Sequence, residues 1–297
     1  VVEKFMNREL AKHVVTDEKQ YAYTKGIGTT DALVKVVSDI ASALDRPSTY
    51  AIQALYVDFS KAFDLMRPDI LAGKLISQGV PAQLIKLVTN FLSGRQQCVK
   101  TGAYTSRSLP TKLGVPQGTI SGPILWNIYV NNLEPAPDTI KYADDTSIFT
   151  TISKSAVDVL KKSKSHHLIN ITQNSMQSAA DKALDWSKQH HQRINAAKTQ
   201  YMMFTLKQNP ELNNKITMNN TAIEQSTEAK LLGVCLDSHL TFSKQIDQCI
   251  EKSRSAVHGL LTLRRHGVSS KMLVKFYQAR ILPVLSYAAP AWFTYAP

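Results

Sequence analysis

The sequence predicts an α+β chain. Three observations carry that expectation. Leu33, Val34, Val37, Ile40 and Ala41 fall at helix spacing. Residues 50–59 form an apolar, aromatic-rich run with an acid at position 58, the pattern of a buried strand. After residue 240 the composition shifts to helical and basic, which places a boundary there. With 297 residues and 43% hydrophobic content, the chain can build one large domain or two modest ones. At 20% charged residues it is not a disordered sequence.

Taken in order, the first 45 residues read as helical, with Thr29-Thr30-Asp31 starting the second part. Arg46-Pro47-Ser48 is a turn before the first strand. Residues 68–76 and 81–92 read as short helices, each opened by a proline and separated by Gly79. Residues 98–112 suggest a hairpin around Gly102, and Gly114-Val115-Pro116-Gln117-Gly118 a loop. An apolar helix follows over 122–133, then strand–turn–strand over 139–150 with Ala143-Asp144-Asp145 at the turn. A helix over 176–190, a strand over 200–206, a hairpin over 215–222 and a strand over 231–237 complete this part. No repeat or low-complexity tract interrupts it.

Composition narrows the chemistry. The chain has 35 Lys+Arg against 23 Asp+Glu, a net charge of +12 that suits a polyanion such as nucleic acid or an anionic surface. Cys98, Cys235 and Cys249 are scattered and odd in number, so neither a disulfide framework nor a structural zinc site is expected. That usage points to a reducing, intracellular compartment. No apolar run reaches the ~18 residues that span a membrane. The best stretch, 281–293, is short and holds Pro283 and Pro290. Val1 is not an initiator Met, and the chain reads as an internal piece of a longer protein. His166-His167 and His190-His191 read as surface residues.

Two acidic stretches stand out. Tyr56-Val57-Asp58-Phe59 and Tyr142-Ala143-Asp144-Asp145 each place Asp at the end or turn of an apolar strand. A carboxylate there is costly without a compensating cation, and adjacent carboxylates worsen the cost. Divalent metal would answer both. Two Mg²⁺ ions about 4 Å apart are what phosphoryl transfer needs to activate a hydroxyl and stabilise a leaving pyrophosphate. The plain alternative is a solvated Asp-Asp turn and an ordinary strand-end acid.

With the blocks between and after these acids, the chain resembles the reverse transcriptase of non-LTR retrotransposons, the LINE or Jockey-like class. The blocks run in order. Gln20-Tyr21-Ala22-Tyr23 through Gly26, with Thr29-Thr30-Asp31-Ala32-Leu33, is similar to the fingers block. Asp58-Phe59-Ser60-Lys61-Ala62-Phe63-Asp64 resembles the first catalytic motif, and Tyr142-Ala143-Asp144-Asp145-Thr146 the second. Gly114-Val115-Pro116-Gln117-Gly118-Thr119, with Gly122-Pro123-Ile124-Leu125, resembles the loop that contacts template and nucleotide. Asn195 with Lys198-Thr199, then Leu232-Gly233-Val234, are similar to two later palm motifs. Ile281-Leu282-Pro283 to Trp292 is similar to a thumb segment.

The resemblance implies a right-hand fold: an antiparallel palm sheet backed by helices, helical fingers, and a partial helical thumb. Residues 1–240 would be fingers and palm, and 241–297 the basic, incomplete start of the thumb. Asp58, Asp144 and Asp145 would be catalytic and hold two Mg²⁺ (Mn²⁺ also serves), with the Phe59 carbonyl assisting. Phe63 would be the steric gate against a ribose 2′-OH. Gln117 and Gly118 would contact the incoming nucleotide and template, with Pro116 among the primer and template contacts. Lys198 would neutralise or protonate the leaving pyrophosphate. Leu232, Gly233 and Val234 would grip the primer. Lys25 would stand in for the Arg that the family often carries at the position of Thr24, as a point charge rather than a fork. Asn132 replaces a common Asp, and Arg67-Pro68 also depart from the pattern.

The implied activity is RNA-directed DNA polymerisation within a retrotransposon polyprotein, using an RNA template, a DNA primer and dNTPs. No membrane partner is expected. Synthesis would be cytoplasmic and action nuclear. Two other readings stay open. One is a remnant that binds nucleic acid without turnover. The other is a two-metal nuclease, which has no use for Phe63 or the Gln117 loop.

Overall fold

The computed structural model describes residues 1–163, 166–207 and 215–295, without the side chains of 160–174. The His166-His167 pair therefore lies outside the described side chains.

The chain opens with α1 (Val2–Leu10) and continues, after an irregular stretch, into α2 (Thr29–Leu44). Helix throughout the first 45 residues is thus corrected. Residues 11–28 make only local turns among themselves and are tied to other elements: Asp17 N donates to Asn131 Oδ1 at 2.6 Å and Tyr21 N to Lys141 O at 2.9 Å. α2 starts where Thr29-Thr30-Asp31 places it, with Asp31 Oδ2 accepting from Gly28 N at 2.7 Å.

The centre is a five-stranded sheet, built on β1 (Thr49–Val57). After β1 come α3 (Pro68–Ser77) and α4 (Ala82–Leu92). A two-tier hairpin follows: β2 (Arg95–Gln97) pairs with β5 (Leu109–Thr111), and β3 (Lys100–Thr101) with β4 (Tyr104–Thr105). Then come α5 (Gly122–Val130), β6 (Asp138–Tyr142), β7 (Asp145–Ser153), α6 (Lys154–Ser163), α7 (His166–Gln189) and β8 (Gln200–Phe204). β9 (Ile216–Met218) and β10 (Thr221–Ile223) make the small expected hairpin. β11 (Gln225–Ser226) precedes β12 (Glu228–Leu231) and β13 (Val234–Asp237). The sheet order is β11-β8-β1-β7-β6, antiparallel except that β11 lies parallel to β8 at one edge. An antiparallel sheet backed by helices is what the sequence leads one to expect; the parallel edge is not.

β1 is buried along its whole length because both of its faces are covered. Leu55 and Val57 pack into one core with Leu71, Leu125, Trp126 and Tyr129 from α3 and α5. Ile52, Ala54 and Tyr56 face a second core with Leu33, Val37 and Ile40 of α2. This two-sided burial, at about 1.5–3 kcal/mol per large apolar side chain, fixes the register of β1.

Two further readings are corrected. Residues 231–237 are not one strand but most of the β12–β13 hairpin, turning at Leu232 (φ 45°) and Gly233 (φ 90°). His190 is not a surface residue. It is 8% exposed, its ring stacks on Trp186 with centroids 4.3 Å apart, and burial lowers its pKa.

Beyond residue 240 the chain is helical: α8 (Ser243–Arg265), α9 (Ser270–Arg280), α10 (Leu282–Ser286) and α11 (Ala289–Trp292). α8 and α9 carry the basic residues outward. α11 returns to the second core, where Ala291 and Trp292 pack with the residues of α2. Among the described residues no helix is long and apolar enough to cross a membrane.

Candidate active site

The carboxylates meet at one end of the sheet. Register does it: β1 and β7 are paired as far as Val57 with Thr146, so the next step sets Asp58 opposite Asp145. Neighbouring strands lie about 4.8 Å apart. On its other side Asp145 pairs with Tyr142 across the two-residue turn Ala143-Asp144. Ala143 has φ 57°, the left-handed conformation that a tight hairpin of right-handed twist favours. It costs a non-glycine residue about 1–2 kcal/mol.

Asp58 is fixed by backbone bonds. Its N donates to Thr199 Oγ1 at 3.4 Å, and its O accepts from Asn195 N at 2.8 Å. Ser60 N donates to Arg193 O at 2.8 Å. The peptide unit is planar and trans, so the Phe59 carbonyl points the opposite way, to the side of β1 that β7 occupies. The Phe59 ring is buried, edge-on to Trp186 at 6.0 Å.

Electrostatics agree with convergence. Burial raises the pKa of Asp145, and Asp144 and Asp58 raise it further, up to about 6. Burial likewise raises Asp144, with Asp58 adding to it. The phenol of Tyr23 is pushed up by burial and then by Asp144. These are carboxylates short of positive charge. Their oxygen-only donor set suits Mg²⁺ or Mn²⁺. Among the described residues no three His, Cys, Asp or Glu side chains are gathered into a ready-made cage. Mg²⁺ needs none, because it keeps several waters and takes one or two carboxylates plus substrate phosphates.

A recess of about 100 Å³ brings Asp58, Asp145, Lys198 and Leu232 together, with Lys230 added from β12. Lys198 was expected at the leaving pyrophosphate and Leu232 at the primer. Lys230 was not singled out, since one lysine in a short strand carries no signal. Of the expected grip, Gly233 at the hairpin tip is exposed and Leu232 half-buried. The Val234 side chain is fully buried in the second core, so only its backbone faces outward at this hairpin.

Phe63 is half-buried, with its ring 5.1 Å from Trp126. Its carbonyl accepts from Val115 N at 3.0 Å, which joins the first acidic motif to the 114–118 loop. Gly114 closes that junction at φ 80°, where a Cβ would meet Asp64 O at 2.6 Å. Gln117 Nε2 donates to Asp64 Oδ1 at 3.4 Å. Pro116 and Gln117 line a groove of about 1020 Å³ with Lys61, Arg95 and Lys112. Gly118 (φ 79°) has open space around it. Lys25 lies apart from the recess, in a depression with Asn7, Ile120 and Pro123.

Comparison with known proteins gives this arrangement a context. A family model described as reverse transcriptase (RNA-dependent DNA polymerase) matches residues 1–236. The chain is 29% identical over 280 residues to a probable RNA-directed DNA polymerase from transposon X-element of Drosophila melanogaster, covering 94% of this chain and 30% of that protein. It is 28% identical over 273 residues to an RNA-directed DNA polymerase from mobile element jockey of the same species, covering 90% and 28%. The chain thus spans less than a third of these curated relatives. Among solved structures it is similar to an apo telomerase from Candida tropicalis truncated from its C-terminal domain, with a TM-score of 0.50 and 12% identity, over 80% of this chain and 43% of that one. At that identity the likeness is one of fold.

Proposed function

The chain belongs to the reverse transcriptase (RNA-dependent DNA polymerase) family, and from that premise we propose that it extends a DNA primer along an RNA template by two-metal nucleotidyl transfer, as part of a non-LTR retrotransposon polyprotein. The observation that carries the proposal is the placement of Asp58 opposite Asp145, with Asp144 in the adjoining turn. The right-hand fold supports it. In that reading 1–240 serve as fingers and palm, and 241–297 begin the thumb.

Asp58, Asp144 and Asp145, with the Phe59 carbonyl, would hold two divalent cations. Bound there, such ions favour the ionised primer 3′-oxygen and neutralise charge on the departing pyrophosphate. The remaining work belongs to side chains. The primer 3′-hydroxyl releases its proton to water, its oxygen forms a bond to the α-phosphorus, and the bond to pyrophosphate breaks. Lys198, in the same recess as Asp58 and Asp145, neutralises or protonates that leaving group. Phe63, backed by Trp126, presents a rigid ring against a ribose 2′-OH. Gln117 and Gly118 receive the nucleotide and Pro116 the template, while Leu232 and Gly233 bear on the primer. Lys25 reaches the triphosphate as a point charge from outside the recess. The outward cations of α8 and α9 follow the duplex phosphates without regard to sequence. Synthesis in the cytoplasm and action in the nucleus fit a mobile element.

Primer extension on poly(rA)/oligo(dT) with Mg²⁺ tests the proposal. Incorporation by the wild type that vanishes in Asp144→Ala is expected. Retained binding without incorporation at any Mg²⁺ or Mn²⁺ concentration would instead leave a nucleic-acid-binding remnant.

A further inference from the structure

The turn that carries Asp144 is held from outside the sheet. Gln20 is 4% exposed and lies in the irregular segment between α1 and α2. Its Oε1 accepts from Ala143 N at 3.0 Å and from Ala22 N at 3.0 Å. Its Nε2 donates to Ala143 O at 3.3 Å. One buried amide thus engages both backbone polar groups of the residue whose left-handed conformation makes the turn.

The segment that bears Gln20 is itself anchored. Gln20 bridges to Lys141, Tyr21 N donates to Lys141 O at 2.9 Å, and Lys141 N donates to Lys19 O at 2.8 Å. Lys141 is 0% exposed and pairs with Asp17 at 2.5 Å. Its Nζ also donates to the carbonyls of Val130 at 3.1 Å and Leu133 at 3.2 Å, where α5 ends. The clamp therefore stands on a fixed base rather than on a loose loop.

We propose that Gln20 is a positioning residue for the metal site: its side-chain amide clamps Ala143 in the left-handed turn and thereby sets where Asp144 presents its carboxylate. The inference rests on the polymerase reading of the carboxylates. It adds a residue that touches neither metal nor substrate. Residues one step behind metal ligands change affinity or rate by about 10–100-fold when removed.

Gln20→Met keeps the volume and removes all three bonds. The metal concentration for half-maximal activity rises by about tenfold and kcat falls by about 10–100-fold. KM for dNTP and affinity for template–primer stay within about twofold. In the metal-free protein, exchange of the Ala143 amide hydrogen accelerates by about tenfold or more, since its acceptor is gone. Asn127→Ala is the comparator. Asn127 Nδ2 holds the same segment through Ala22 O at 3.1 Å without touching Ala143, and its loss leaves the metal dependence unchanged. Should Gln20→Met alone fold poorly, the pair Gln20→Met with Ala143→Gly is used, because glycine adopts the turn without a clamp; it recovers metal affinity towards wild type. Wild-type metal dependence and Ala143 exchange in Gln20→Met overturn the proposal, as does an equal metal shift in Asn127→Ala. Absence of incorporation by the wild type removes the polymerase reading instead, and the Ala143 exchange still decides whether the clamp exists.

Discussion

Replacing Asp145 with Asn removes one of the negative charges gathered at the end of β1 and β7. Asp145 has its pKa raised from 3.8 to about 6, by burial first and by Asp144 and Asp58 after it. A carboxyl group raised in the folded state contributes stability below its unfolded value, and that stability is lost as pH rises through about 6. A rise of that size corresponds to ~3 kcal/mol at most. The residue is only partly covered, with more than a third of its surface open to water, so solvent screening reduces the expected effect to about 1 kcal/mol. Asn carries no charge at any pH. In chelator at pH 7.5 the D145N protein therefore melts about 2–4 °C above wild type, and the gap closes as pH falls towards 4. Added Mg²⁺ stabilises the wild type more than the variant, which reverses the order or narrows it. Thermal melts at both pH values, with and without Mg²⁺, read all of this directly. A D145N protein no more stable than wild type at pH 7.5 in chelator refutes the claim that these carboxylates repel one another in the folded state.

Three other outcomes follow from particular contacts. Phe63→Val opens the space beside Trp126, and discrimination against ribonucleotides drops by about 10–100-fold; unchanged discrimination in single-nucleotide incorporation removes the gate assignment. Gly114→Ala forces a Cβ to 2.6 Å from Asp64 O at φ 80°, a loss of about 2–3 kcal/mol readable by denaturant unfolding, and wild-type stability contradicts the packing of that junction. Burial, and then Lys141, lower Lys74 to about 8, and Asn132 accepts from both Lys74 and Trp186 Nε1. Protonated Lys74 therefore weakens the fold below pH 8, a penalty relieved as pH rises towards its unfolded value near 10.5. Asn132→Asp supplies the missing charge, stabilises the protein by about 1 kcal/mol at pH 7, and flattens stability between pH 8 and 10.5.

The parts of the fold that were legible in the sequence are those with a local cause. Asp31 caps α2 beside Gly28, Pro68 opens α3, and the apolar run of β1 marks a central strand. The carboxylates stood out as acids at the ends of apolar strands, but a solvated Asp-Asp turn explains them as well until the blocks between and after them are read together. What the sequence hid depends on partners far along the chain. Residues 11–28 look helical until their amides find Lys141 and Asn131. His190 reads as polar until the ring of Trp186 covers it. Val234 sits in a grip-like motif, yet its side chain packs in the second core. Gln20 carries no local mark of its bond to Ala143, 123 residues away. A hairpin tip at Leu232-Gly233 was signalled by glycine alone, and an apolar run on either side outweighed it.

Two-metal nucleotidyl transfer requires Asp58 and the Asp144–Asp145 turn to hold divalent metal in common. Crystals of the protein with RNA–DNA template–primer, a non-hydrolysable dNTP and Mn²⁺, recorded at the manganese edge, measure this directly. Two anomalous peaks about 4 Å apart, sharing oxygens of Asp58 and Asp144, are the predicted result. A fully bound nucleotide with no peak at that corner, or a peak on one acid with the other turned away, contradicts it.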